Sequence, residues 1–324
     1  MKIITKLALV SSMAISANAM AMQAMDDASL SAATGQDGLN IGIGISKVEI
    51  GKVFVHDNDG LAVAKGGTGA AGAIVIQGNG KAGDALENHG IIIGANYDKG
   101  GVYLLTSKNL ADLQIDSDAN GGNAFINIAA QVSGLDIKIG QIGVVASGAL
   151  PTAASTSIRR GGTGTVNPIL SGLTLKTGPM SANIQLGAAP QGAMIKLNAT
   201  MIGGLEIKDL GILDNSTKTG TGDGTVDNRA AGEIFVESLK VTDANALDLT
   251  LNQNISVIGE EGANKGYIRM ISASGAHDTY VKGVHLGSRN AASIGDVEVQ
   301  GLQTYYSTAP GSYTQGAVIT ISGH

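Results

Sequence analysis

The chain has 324 residues, 43% hydrophobic but only 3% aromatic, with no Trp, no Cys and 48 Gly. That is enough apolar side chain for one large domain or two ordinary ones, with a core of Val, Ile, Leu and Ala, and it excludes a disulfide-stapled scaffold. The formal net charge is −6, which argues against nucleic acid and anionic lipid as partners, and the glycines follow no G-X-Y period, which excludes collagen.

Residues 1–21 read as a secretory signal. Lys2 and Lys6 form the basic region, Leu7–Ile15 the apolar run, and cleavage is expected after Ala19 or Ala21. The run is too short to span a bilayer, and no later apolar stretch is long enough for a transmembrane helix. Without the signal, 19 basic residues face 27 acidic ones, a net of −8. The expected product is exported through the Sec pathway to the cell surface or outer membrane, with the periplasm as an alternative. Residues 22–38 hold the one clear helical candidate, residues 26–34, capped by Asp26 or Asp27 and ended by Gly35.

From Leu39 onward the pattern is β. Leu39-Asn-Ile41-Gly-Ile43-Gly-Ile45 alternates at period two and runs into a recurrent word, Φ-x-Φ-x-x-Φ-x-Φ, where Φ is aliphatic. The word reads Val48-Glu-Ile50-Gly-Lys-Val53-Phe-Val55, then Ile137 to Val144, Leu205 to Ile212 and Val297 to Thr304. Looser copies lie at Leu170 to Leu175, Val236 to Val241 and Val281 to Leu286. The doubled x-x step would move the side chains to the other face unless the chain bends or bulges there. Each word therefore predicts strand, corner, strand. The strong copies start at 48, 137, 205 and 297, with unequal gaps of 89, 68 and 92, so this is no repeat of fixed length. Gly/Thr-rich loops separate the words, and each loop returns to an aliphatic strand. The expected fold is all-β: one domain over residues 39–324, either an elongated β-solenoid or a bent double sheet (β-sandwich), with long Gly/Thr loops.

The segment Met22-Gln-Ala-Met-Asp-Asp-Ala-Ser-Leu-Ser-Ala-Ala-Thr-Gly-Gln-Asp-Gly-Leu39, directly after the signal, resembles the N-terminus of FilA-type pilus-system proteins of Gram-negative bacteria. The specific stretch is D-D-x-x-L-S-x-x-T-G-Q-x-G-L, under a tenth of the chain. The resemblance implies a fimbrial or cell-surface association. It supplies no catalytic or ligand-binding residue.

Chemical motifs are sparse. Gly67-Thr-Gly69-Ala-Ala-Gly72 matches G-x-G-x-x-G, but a strand pattern follows where a dinucleotide site needs a helix. Asp116-Ser-Asp118-Ala-Asn120-Gly121 matches the first half of a calcium loop, which makes Asp116, Asp118 and Asn120 a weak calcium candidate. The twelfth position is Asn127 where a bidentate Glu belongs. An Asx-rich turn is the plainer reading. Five scattered histidines lack metal-ligand spacing, and His285 is expected to face solvent from a strand. Glu260-Glu261 reads as a surface turn. No G-x-S-x-G anchors a hydrolase. No enzyme activity and no cofactor are expected.

The resulting expectation is a secreted structural or adhesive surface protein, a pilus component or accessory. It would join other pilus-system proteins or itself by strand addition. The segments expected to add are apolar, terminal and free of Pro: Leu39, Ile41, Ile43 and Ile45 at one end, and Val318, Ile319 and Ile321 at the other. The same strands closing the protein's own sheet is the plainer alternative. A glycan-binding or polysaccharide-processing β-helix is the rival function, with Tyr305-Tyr306 and Tyr313 as its thin aromatic cluster. An outer-membrane barrel is disfavoured by the scarcity of aromatics for its two girdles.

Overall fold

Strands with the predicted alternation fill a computed structural model that describes residues 38–259 and 266–323. The signal, the helical candidate at 26–34, Glu260, Glu261 and His324 lie outside the described residues. Residues Asn40–His324 form one unit, and a second, Met1–Leu39, is almost wholly outside the described part.

The chain makes eight long passes. The first is β1 (Leu39–Ile43), β2 (Lys47–Ile50) and β3 (Val53–Asp57). It returns as β4 (Gly72–Gln77), β5 (Ile91–Ala95) and β6 (Ala111–Asp118). The third pass is β7 (Phe125–Val132), β8 (Leu135–Ile139) and β9 (Gln141–Ser147), and the fourth is β10 (Gly162–Leu170), β11 (Leu173–Lys176) and β12 (Met180–Gly187). The fifth is β13 (Ile195–Met201) and β14 (Leu205–Asp214), and the sixth β15 (Gly232–Asp243) and β16 (Leu249–Gly259). The seventh is β17 (Gly266–Ser272) and β18 (His277–Gly287). The eighth is β19 (Ser293–Leu302), a small hairpin of β20 (Tyr305–Tyr306) and β21 (Thr314–Gln315), and β22 (Ala317–Ile321). Among the described residues, helical structure amounts to one α turn at Asp98–Gly101 and three 3-10 turns.

Each pass contributes to two sheets. One sheet has eight strands in the order β1-β6-β7-β12-β13-β16-β17-β22. The other takes the remaining segments of the eight passes, from β2/β3 at one side to β19 at the other. Every pairing with a defined register in these two sheets is antiparallel. Of the two architectures the pattern allows, this is the bent double sheet, built as a meander.

The word explains the register. Φ-x-Φ-x-x-Φ-x-Φ reads the same in both directions, so it fits passes running either way. Its first-level aliphatics align in one row across the second sheet: Val48, Ile93, Ile137, Leu175, Ile207, Leu239, Val281 and Val297. The eight-stranded sheet carries its own row, Ile115, Ile128, Ile184, Ile195, Ile255, Met270 and Ile319. Cross-strand aliphatic contacts of this kind are the unit of sheet stabilisation.

The corner in the word is smaller than expected. At the x-x step Gly172, Asp209 and Gly283 adopt positive φ of 116°, 58° and 63°. Pairing continues through it, because Leu170↔Ile212 and Thr174↔Lys208 share one register. The step is a kink inside one sheet, and the bend between sheets lies elsewhere. It is marked by buried Asn96, Ser133, Thr177, Thr242 and Ser274, five of the seven buried polar residues among those described. Chains that leave one sheet for the other strand their peptide groups without ladder partners, and these side chains supply them. Asn96 Nδ2 donates to Thr177 O at 3.0 Å, and Thr177 Oγ1 accepts from Leu135 N at 2.9 Å. Ser133 Oγ donates to Asn109 O at 2.7 Å and accepts from Leu105 N at 3.0 Å. Ser133 has no solvent exposure, so Ser133→Ala should cost about 1–3 kcal/mol by leaving both groups unpaired. Urea denaturation measures it, and an unchanged midpoint would remove this residue from the bend.

A buried apolar cluster lies on one face of β3, β4, β9 and β10, where Ala73, Val75 and Val145 pack against Phe54 and Val166. On the opposite face Val55, Ile74 and Val144 align and remain exposed.

Candidate functional site

The two segments expected to add strands both lie in the eight-stranded sheet, at its opposite edges. β1 pairs with β6 on one side, β22 pairs with β17 on the other, and among the described residues neither has a second partner. Leu39, Ile41, Val318, Ile319 and Ile321 are exposed, and Ile43 is half-buried. Ile45 is exposed as well, but falls in the link after β1. Among the described residues both segments thus complete the protein's own sheet on one side and have no strand partner on the other. Neither carries Lys, Glu or Pro, the usual guards of an edge strand.

β22 is seated by Gly316. Its φ is +118°, and a Cβ there would lie 1.9 Å from Ser272 O, on the strand β22 pairs with. Gly316→Val must push β22 off β17. The expected result is roughly tenfold or greater loss of amide-exchange protection confined to residues 317–321 and the facing side of β17. Uniform protection across the sheet would contradict this.

A buried ion pair with its own hydrogen-bond network lies on the other sheet. Glu233 in β15 is 8% exposed and meets Arg289 from the loop between β18 and β19. Arg289 Nη2 donates to Glu233 Oε1 at 2.7 Å, and its Nε and backbone N each reach Oε2 at 3.2 Å. Nη2 also donates to Ser171 Oγ at 2.8 Å. The guanidinium sits 4.7 Å from the Phe235 ring centre. Glu233 and Ser171 approach over Gly211, where a Cβ would lie 2.1 Å from each of them. Burial pushes the Glu233 carboxyl up, but hydrogen bonds and charge from Arg289, with Ser171 adding, hold it below the usual range. A lowered folded-state pKa stabilises the fold above the ordinary carboxylate range of about pH 4–5 and is lost as pH falls through the lowered value. Stability should therefore drop on acidification below about pH 4.5, and Glu233→Gln should flatten that slope in melts taken from pH 7 to pH 3.

His285 is a correction to the sequence reading. Its ring is packed, with Nδ1 2.6 Å from Ala291 O and Nε2 3.4 Å from Glu237 Oε1. The alternation placed Val284 and Leu286 on one face, and the loop carrying Arg289 covers the other.

Asp116 and Asp118 end β6, and Asn120 opens the 3-10 turn Asn120–Gly122. Asp118 Oδ1 accepts from Asn120 N at 2.6 Å, and Asp116 lies opposite Asn127 in β7. The calcium-like spacing thus folds as a hairpin turn. Among the described residues no three His, Cys, Asp or Glu side chains gather in a metal-sized group. Gly67–Gly72 is a loop that opens β4, as the strand pattern implied. Tyr305 and Tyr313 are exposed around the β20–β21 hairpin.

Sequence reasoning missed the amide-rich face of the eight-stranded sheet. Asp112, Gln131, Ser181, Asn198 and Asn252 align on it, as do Asn127 and Gln185. Asn127, Asn183, Gln185 and Gln191 are joined by side-chain hydrogen bonds of 2.8–3.0 Å. A groove of about 510 Å³ there is lined by the amides Gln131, Asn198 and Asn252 and by hydroxyl side chains, with Leu105, Met180 and Leu251 among its apolar walls. The alternation of these residues with the aliphatics was the available signal.

Among the described residues no helix is long and apolar enough to cross a membrane. Comparison with curated proteins and with solved structures gives no match. Residues 1–138, which reach into β8, match the model of a family of unknown function, DUF6160.

Proposed function

We propose that this chain is an exported structural or adhesive protein of the cell surface, a pilus component or accessory, and that it works by joining β-sheets and not by catalysis. The observation that carries the reading is the placement of two unguarded aliphatic strands, β1 and β22, at opposite open edges of one sheet. Edges of this kind template the addition of another strand. The opening motif at residues 22–39 supports the surface association, and the acidic net charge supports protein partners over nucleic acid. Deleting residues 36–45 should abolish surface fibres, seen by electron microscopy of cells, while the protein is still exported. Unchanged fibres would refute the reading.

The amide-rich groove favours a second reading, glycan binding. Its amides and hydroxyls can donate to and accept from sugar hydroxyls. A reproducible glycan-array signal that is lost in Asn198→Ala would support it. Silence across a broad array would count against it.

A further inference from the structure

We infer that the partner at the open edges is a second copy of this chain, added edge to edge so that both sheets run on through the junction. This rests on the strand-addition reading and specifies its geometry.

The first support is parity. Seven antiparallel contacts connect the eight passes of the second sheet, so the first pass and the eighth run in opposite directions. Setting the eighth pass of one copy beside the first pass of the next makes another antiparallel contact. An odd number of passes would have forced a parallel one.

The second support is placement. β1 belongs to the first pass and β22 to the eighth, so the open edges of both sheets lie on the same two passes. A single displacement joins both sheets. The aliphatic rows end at the eighth-pass edge on Val297 and Ile319, which are 50% and 54% exposed, whereas Val48 at the first-pass edge and the members between are half-buried. A following copy would place Val48 against Val297 and continue the row.

The third support is charge. The only charged residues of β19 are Asp296 and Glu298, while the first pass carries Lys47 and Lys52 beside Glu49 and Asp57, so the complementarity lies in the local pairing. With Val48 beside Val297, antiparallel pairing sets Lys47 opposite Glu298. Asp296 then faces Glu49, and Glu49 is already held by Lys47 at 2.6 Å. Asp296 in turn accepts from Tyr280 Oη at 2.6 Å and Gly283 N at 2.8 Å. The like pair is thus compensated within each copy, and Lys47 bridges the two.

Such a contact uses different surfaces on each copy, and with a rotation between copies that does not close a ring it generates an open filament. Eight strands at about 4.8 Å give a rise near 38 Å per copy, with the rotation set by the sheet's accumulated twist.

The test uses the purified full chain. Light scattering should show concentration-dependent growth, and negative-stain micrographs should show filaments repeating at about 38 Å. Glu298→Lys and Ile319→Lys should each reduce assembly about tenfold with unchanged melting temperature, because both sites are exposed and a like charge or an edge lysine opposes pairing. The double variant Lys47→Glu, Glu298→Lys restores opposite charges at that pair but strips Glu49 of its lysine, so it should recover assembly in part, above the level of Glu298→Lys alone. A monodisperse monomer at all concentrations, a dimer that grows no further, or filaments indifferent to the three variants overturns the inference. Surface fibres that still contain a chain which is monomeric when purified would overturn the inference alone and leave the surface-protein reading intact.

Discussion

Replacing Arg289 with alanine should lower the unfolding free energy by about 3 kcal/mol, the lower end of the cost of breaking a buried ion pair. The reason is geometric. Glu233 is 8% exposed, and three of its hydrogen bonds come from Arg289. Removing the guanidinium leaves a carboxylate with little water and one fewer neutralising charge, and it uncovers the Phe235 ring. The loss is moderated because Arg289 itself keeps partial solvent contact. Arg289→Lys keeps the charge but not the planar fork, and should recover only part of the loss. Glu233→Gln with Arg289→Met removes both charges and should be milder than Arg289→Ala alone. Urea titrations of these variants form the measurement. A loss under about 1 kcal/mol for Arg289→Ala would mean the pair behaves as an exposed one.

This clamp also shows where the sequence stops being informative. Glu233 and Arg289 are far apart in the chain, they follow no spacing rule, and only the meander brings them onto Ser171 over Gly211. The strands themselves were legible, because period-two aliphatic alternation is a local signal. The register was half legible: the palindromic word is visible, but its use by antiparallel neighbours is a long-range fact. The sheet-to-sheet bend was hidden, since Asn96, Ser133 and Thr177 look like ordinary loop residues until the unpaired peptides they serve are in view. His285 was misjudged for the same reason, because a distant loop covers its face. β1 and β22 were found as candidate assembly strands from composition and position, and their placement at opposite edges of one sheet came from pairing alone.

Val75→Asp and Ile74→Asp, adjacent positions on β4, should differ by about 3 kcal/mol or more. Val75 has no exposure and packs in the Ala73–Val145 cluster, whereas Ile74 is 49% exposed and aligned with Val55 and Val144. A carboxylate at Val75 has neither water nor a partner, so it must unfold the region or stay protonated. A cost above about 4 kcal/mol is expected. At Ile74 the carboxylate meets solvent, and the cost should stay within about 1 kcal/mol. Thermal melts at pH 7 and pH 4 separate the two, since protonation should partly rescue Val75→Asp and leave Ile74→Asp unmoved. Equal costs would mean that β4 has no buried face. Because a slip of one residue exchanges the two faces, reversed costs, with Ile74→Asp the severe variant, would mean the β3–β4–β9 register is wrong by one. That register positions Val48 through the first pass, so the same pair of variants also tests the row on which edge-to-edge assembly depends. An Ile74→Asp chain that folds normally but no longer assembles would show that the exposed face contributes to the filament alongside the edges.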